Sequence, residues 1–89
     1  MIADQDLEII RRTSRSYGLK RVLLFGSAAR SATQPRDIDL AVEGLDPRRF
    51  FQFHGDLLLA LSLPVDVFDL SQSGRFADLV RQEGVAIYG

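Results

Sequence analysis

One segment, residues 21–42, limits what this chain can fold into more than any other. It begins with the apolar run 22–25, which lies between a charged residue and Gly26 and has the length of a buried strand. Gly26 and Ser27 end the run, and residues 28–30 favour a helix with Ser27 as its N-cap. The segment therefore predicts a strand that turns directly into the N-terminus of a short helix.

A turn of this kind has a consequence for binding. The first backbone N–H groups of a helix have no partner within the helix, and they point in one direction. Such groups form a natural site for phosphate oxygens. Gly26 and Ser27 are therefore candidate phosphate-binding residues.

Two aspartates follow on the next predicted strand, residues 37–42. Side chains alternate along a strand, so Asp37 and Asp39 face the side opposite to the apolar residues between and after them. Their Cα atoms lie roughly 6–7 Å apart, and the two charges repel each other unless a cation lies between them. Mg²⁺ binds one or two carboxylates together with phosphate oxygens. The pattern predicts nucleotide chemistry, and the alternative is a pair of solvated acids at a strand edge.

Asp66 is the third acid of interest, because it lies within the predicted strand 65–68 between two valines. An aspartate in a core strand must be paired, coordinated to a metal or accessible at an edge. If this strand lies beside the previous one, Asp66 joins Asp37 and Asp39 on one face. Three carboxylates suit a metal-assisted displacement at phosphorus, with one of them accepting the proton of the attacking hydroxyl. The alternative is a salt bridge at the end of the sheet.

The remaining chain predicts helices over 4–17, 47–61 and 75–83 and a short edge strand over 85–88. The order of elements predicts one α/β (α+β) domain over residues 1–89, with a small mixed sheet of three to four strands. The helix 47–61 has a wider apolar stripe than one small sheet requires. It is either core or a partner surface, and its members are Phe50, Phe51, Phe53 and residues 57–61.

Composition excludes several classes of function. The 89 residues include no cysteine, which excludes disulfides and thiolate zinc sites. The net charge of −1 argues against nucleic-acid binding by the isolated chain. We see neither a signal peptide nor a run long enough to span a membrane, and therefore expect a cytoplasmic protein.

Several short motifs occur in a fixed order: Phe25-Gly26-Ser27, Arg30, Pro35, Asp37-Ile38-Asp39-Leu40 and Pro64-Val65-Asp66-Val67. Together with the closing residues 83–88, they resemble the minimal nucleotidyltransferases (MNT) of the DNA polymerase beta superfamily. The resemblance implies the polymerase-beta-like fold, with helices packed mainly on one face of the sheet. It also implies that Gly26, Ser27 and Arg30 bind the triphosphate. The same resemblance implies that the catalytic and metal-binding residues are Asp37, Asp39 and Asp66.

The resemblance also implies a reaction and a partner. Members of this family use Mg²⁺ or Mn²⁺ to move a nucleoside monophosphate from a nucleoside triphosphate onto a hydroxyl. The donor is commonly ATP, which transfers AMP, but another NTP can take its place. Many short members act as antitoxins of a separately encoded HEPN-domain toxin. So short a chain has little material to enclose a base and an acceptor, and we expect that partner, or a homodimer, to supply the rest.

Three departures from the family pattern support an alternative. The loop between Ser27 and Asp37 is one residue shorter than usual, Ser31 replaces a frequent glycine, and Arg36 replaces a small polar residue. The shortened loop, together with the broad apolar face at Phe50, Phe51, Phe53 and residues 57–61, motivates this alternative. It is a catalytically weak or inactive antitoxin-like binding module that masks its partner sterically.

Overall fold

The computed structural model describes residues 2–30, 35–71 and 73–89. These residues form the helices α1 (Asp4–Ser16), α2 (Phe50–Ala60) and α3 (Arg75–Glu83). They also form the strands β1 (Arg21–Phe25), β2 (Ile38–Glu43), β3 (Val65–Asp69) and β4 (Val85–Tyr88). Short 3₁₀ turns follow β1 at Gly26–Ala29 and precede α2 at Pro47–Arg49. No helix in these described ranges is long and apolar enough to cross a membrane.

The four strands form one mixed sheet in the order β3-β2-β1-β4. Strand β1 is antiparallel to both of its neighbours, β2 and β4, whereas β2 and β3 are parallel. Parallel neighbours need a crossover connection, and α2 supplies it. This sheet confirms the predicted fold class and the predicted number of strands.

The two faces of the sheet carry separate cores. Helices α1 and α2 cover one face, where Ile10, Phe53 and Leu57 pack on apolar side chains of all four strands. Helix α3 covers part of the other face, where Ala77 and Val80 pack against the smaller cluster around Leu23 and Ala41. Helices α1 and α2 therefore lie on the same face of the sheet, which confirms the prediction that the helices pack mainly on one face.

A buried carboxylate on α1 accepts hydrogen bonds from the segment that follows α2. Asp6 is only 2% exposed, and its oxygens accept hydrogen bonds from the backbone N–H and the hydroxyl of Ser62, at 3.1 and 2.5 Å. The Tyr17 hydroxyl donates to Asp56 at 2.6 Å at the other end of the helix pair. These contacts hold both helices on the sheet face opposite to α3.

The segment after β1 differs from its prediction. A 3₁₀ turn begins at Gly26 and ends at Ala29, so the predicted α-helix with Ser27 as its N-cap is wrong. The positive φ of Gly26, +67°, bends the chain one residue earlier, and burial of Ala28 in the larger core holds the tight turn in place. Residues 31–34, four of the nine residues between Ser27 and Asp37, lie outside the described residues.

Candidate active site

The register of β2 and β3 brings two of the predicted acids together. Asp39 and Asp66 are direct Cα partners on these parallel strands. Both side chains lie on the sheet face that α3 partly covers, because they alternate with residues buried in the opposite core. Neighbouring strands lie about 4.8 Å apart, so the two carboxylates are close neighbours.

Asp37 lies in a bend one residue before β2, rather than within the strand as predicted. It lies two residues before Asp39 in the chain, and its negative charge is one of the causes that raise the pKa of the Asp39 carboxyl. The structure therefore places Asp37, Asp39 and Asp66 together at one end of the sheet.

The electrostatics of this cluster are unfavourable without a cation. Burial is the main cause that raises the pKa of Asp39, followed by the negative charges of Asp37 and Asp66. Among the described residues, none of the three carboxylates forms a salt bridge. The charges of Asp37 and Asp66 therefore raise the cost of ionising Asp39, and a bound cation would relieve that cost.

The Gly26 turn lies directly against these acids. Phe25, the last residue of β1, is the Cα partner of Asp39. A Cβ atom added at Gly26 would lie 2.5 Å from Oδ2 of Asp39, so that any side chain there would force the Asp39 carboxylate to move. The absence of a side chain at Gly26 thus allows the turn and the carboxylate to approach each other. The predicted phosphate-binding turn and the predicted metal ligands form one continuous surface.

Ser27 and Arg30 complete the predicted phosphate-binding set. Ser27 is half-buried in the 3₁₀ turn, and its hydroxyl caps no helix. Arg30 follows the turn in an extended conformation, and its side chain is exposed. A positive charge is therefore available beside the turn for an incoming phosphate.

The donor set suits a hard cation. In the described part of the chain, no group of three or more histidine, aspartate or glutamate side chains is arranged closely enough to hold a metal ion by itself. Mg²⁺ usually binds through one or two carboxylates and takes its remaining ligands from water and substrate phosphates. Asp37 and Asp39, with Asp66 beside them, offer oxygen ligands of this type. They fit Mg²⁺ or Mn²⁺ better than a metal that prefers nitrogen or sulfur.

A pocket of about 230 Å³ adjoins the turn on its other side. It is lined by Phe25, Gly26, Ala29, Arg30, Phe76, Leu79, Val80 and Glu83. The sequence analysis predicted a helix over 75–83 but assigned no binding role to its apolar residues, and it missed this pocket. The only available signal was that α3 carries more apolar residues than its small core uses.

Comparisons with known proteins agree with this geometry. The family model of polymerase beta nucleotidyltransferases matches residues 8–89. The chain therefore belongs to the polymerase beta nucleotidyltransferase family. A comparison with curated protein sequences found no significant match.

Solved structures narrow the resemblance to the minimal nucleotidyltransferases. The chain is similar to a toxin–antitoxin protein solved with AMP-PNP, with TM-score 0.74 and 28% identity over 98% of this chain and 74% of that one. It is also similar to MntA–HepT, with TM-score 0.73 and 27% identity over 98% and 73%. A third structure contains a tri-AMPylated Shewanella oneidensis HEPN toxin in complex with an MNT antitoxin. That match has TM-score 0.72 and 29% identity over 94% and 70%. The resemblance inferred from the motifs is confirmed.

Proposed function

We propose that this chain is a Mg²⁺-dependent nucleotidyltransferase that moves AMP from ATP onto a hydroxyl of a HEPN-domain toxin and so acts as its antitoxin. One observation carries the proposal: the Gly26 turn contacts Asp39, which is paired in register with Asp66. Phosphate-binding backbone and metal-binding carboxylates thus adjoin each other, as nucleotidyl transfer requires. The same arrangement is compatible with another nucleoside triphosphate as donor.

Each residue has a distinct role in the proposed reaction. The backbone N–H groups of Gly26 and Ser27, with the Arg30 guanidinium, bind the β- and γ-phosphates. Asp37 and Asp39 would hold Mg²⁺, which would supply positive charge to neutralise the triphosphate. The acceptor oxygen attacks the α-phosphorus, and the bond from that phosphorus to the oxygen bridging it to the β-phosphorus breaks to release pyrophosphate. Asp66 accepts the proton of the acceptor hydroxyl or completes the metal ligands.

The proposed partner follows from the related complexes. Structures similar to this chain contain a HEPN toxin beside an MNT antitoxin, and in one of them the toxin is AMPylated. We infer a separately encoded HEPN-domain protein as both partner and acceptor. We also infer a cytoplasmic location, because the proposed donor, ATP, is abundant there.

A binding module without significant activity is the second candidate. Phe51 and Leu59 on α2 are 85% and 90% exposed, on the face of the molecule away from the acids. Large exposed apolar side chains are typical of a protein interface. In this case the chain neutralises its partner by covering it. A homodimer through α2 is the other arrangement that would bury these residues.

Intact-mass spectrometry of the HEPN-domain partner distinguishes the two candidates. The partner is incubated with this chain, ATP and Mg²⁺, and in parallel with the double variant Asp37→Asn/Asp39→Asn. The control variant is Glu8→Gln, which removes an exposed acid of α1. We expect one or more added adenylates with the wild-type chain and the control, and none with the double variant. An unmodified partner in a stable complex would favour the binding module.

A further inference from the structure

The pocket beside the Gly26 turn is lined partly by residues of the proposed phosphate-binding surface and partly by apolar residues. Gly26 and Arg30 belong both to the pocket and to the proposed phosphate-binding surface. Helix α3 supplies four further lining residues, and these include the apolar side chains of Phe76 and Leu79. A ligand with a charged end and an apolar end therefore fits across this boundary. A nucleoside triphosphate has that character, because its phosphates are anionic and its base is flat and weakly polar.

The apolar wall is exposed to an unusual degree. Phe76 is 51% exposed and Leu79 is 50% exposed, although both lie on a helix that packs on the sheet. Phe76 belongs to a cluster of three rings with Phe25 and Phe68, whose centroids lie 5.4–5.8 Å apart. Such rings supply the edge and face contacts on which a base packs. Binding a base would remove this apolar surface from water.

The polar groups and the size of the pocket restrict its occupant further. The Glu83 carboxylate disfavours a phosphate in its vicinity, whereas it accepts a hydrogen bond from an amino group. The volume of about 230 Å³ is below the roughly 300–1,000 Å³ typical of pockets that enclose a drug-sized ligand. It therefore suits one fragment of a nucleotide better than a whole one.

We propose that this pocket binds the nucleobase of the donor nucleotide and that it prefers a base with an exocyclic amino group. Leu79 and Phe76 pack on the base, and Glu83 accepts the hydrogen bond of its amino group. This assignment rests on the proposed function, and it extends that function to the choice of nucleotide.

Two ligands distinguish binding through the base from binding through the phosphates. ATP carries both, whereas inorganic tripolyphosphate carries only the charged part. Binding of each is measured by calorimetry in the presence of Mg²⁺ for the wild type, Leu79→Ala and Leu58→Ala. Leu58 is a matched control, because it is 52% exposed but lies on α2, away from the pocket.

We expect Leu79→Ala to weaken ATP binding by about 5- to 10-fold, the effect of losing most of one leucine contact. Tripolyphosphate binding should remain unchanged, and Leu58→Ala should alter neither ligand. ATP should also bind more tightly than ITP, which has a carbonyl in place of the amino group, and Glu83→Gln should reduce that preference.

Each other outcome overturns the assignment. Unchanged ATP binding by Leu79→Ala would show that the pocket serves something else, such as a side chain of the partner. An equal loss of both ligands would show that Leu79 acts through the fold. A wild-type chain that binds neither ligand, both alone and in complex with its HEPN-domain partner, would refute the proposed function together with the base site. A wild-type chain that binds both equally tightly, with no effect of Leu79→Ala, would refute only the base site.

Discussion

Replacing Asp39 by asparagine should stabilise the metal-free protein while abolishing its activity. Burial and the charges of Asp37 and Asp66 raise the pKa of Asp39 in the folded state. The folded state therefore binds the Asp39 proton more tightly than the unfolded chain does. Stability from this group is present below the unfolded pKa and is lost as the pH rises through the folded pKa. At neutral pH Asp39 is ionised, and the folded state loses the full free energy needed to ionise it beside two other charges. The Asp39→Asn substitution removes this loss with little change in the shape of the side chain.

The magnitude follows from the spacing of the acids. Asp39 and Asp66 face each other on neighbouring strands, so their charges lie roughly 5–6 Å apart and repel each other by about 1 kcal/mol at a dielectric constant between those of water and the protein surface. Exposure of Asp66 and screening by salt reduce this value, whereas partial burial of Asp39 adds to it. We therefore expect a gain of about 1 kcal/mol, or roughly 4–8 °C in Tm for a domain of this size.

Thermal unfolding in EDTA at neutral pH measures this gain, with Glu8→Gln as the control for a lost surface acid. The difference between Asp39→Asn and wild type should disappear below about pH 3, where aspartates are protonated in both states. Added Mg²⁺ should raise the Tm of the wild type more than that of Asp39→Asn, because ligand binding to the folded state stabilises it. A lower Tm for Asp39→Asn in EDTA at neutral pH would refute the reasoning, since it would mean that the three charges do not oppose folding.

Four further substitutions test other parts of the structure. Gly26→Ala should abolish nucleotidyl transfer and cost at least about 1–2 kcal/mol in urea unfolding, because its φ is positive and its Cβ would collide with the carboxylate opposite. Asp6→Ala should cost about 1–2 kcal/mol by the same measurement, because two hydrogen bonds from Ser62 are lost; an unchanged midpoint would contradict the assigned contact. Leu57→Ala should cost about 2–5 kcal/mol, and Leu59→Ala less than about 0.5 kcal/mol, because only Leu57 is buried. If the two substitutions lowered the free energy of unfolding by similar amounts, the burial of Leu57 and the exposure of Leu59 on α2 would be contradicted.

The acidic cluster was predictable because alternation along a strand is a local property. The apolar residues of β2 had to enter the larger core, and this placed Asp39 on the other face. The sequence analysis left open whether β3 lies beside β2. The chain order strand–helix–strand allows the parallel pairing that the structure shows, with Asp66 beside Asp39. Side-chain alternation along each strand, together with the crossover that parallel neighbours need, accounts for the position of the acids.

The pocket was not predictable by the same means. Helical periodicity places Phe76, Leu79 and Val80 on neighbouring positions of α3, but it does not reveal how much sheet lies beneath them. The sheet offers only a small cluster to α3, so Val80 is buried whereas Phe76 and Leu79 remain half exposed. The 3₁₀ turn at Gly26–Ala29 was missed for a related reason, since it depends on the burial of Ala28 in a core assembled from distant residues.

Transfer of label from ATP to the HEPN-domain partner tests the central claim most directly. Two reactions are compared, one with ATP labelled at the α-phosphate and one with ATP labelled at the γ-phosphate, each with the wild-type chain and with Asp66→Asn. Our account predicts that the partner gains α-label but no γ-label, and that Asp66→Asn removes the signal. Incorporation of γ-label would indicate a kinase. Absence of both labels from a partner that the chain nevertheless neutralises would contradict nucleotidyl transfer as the basis of its function.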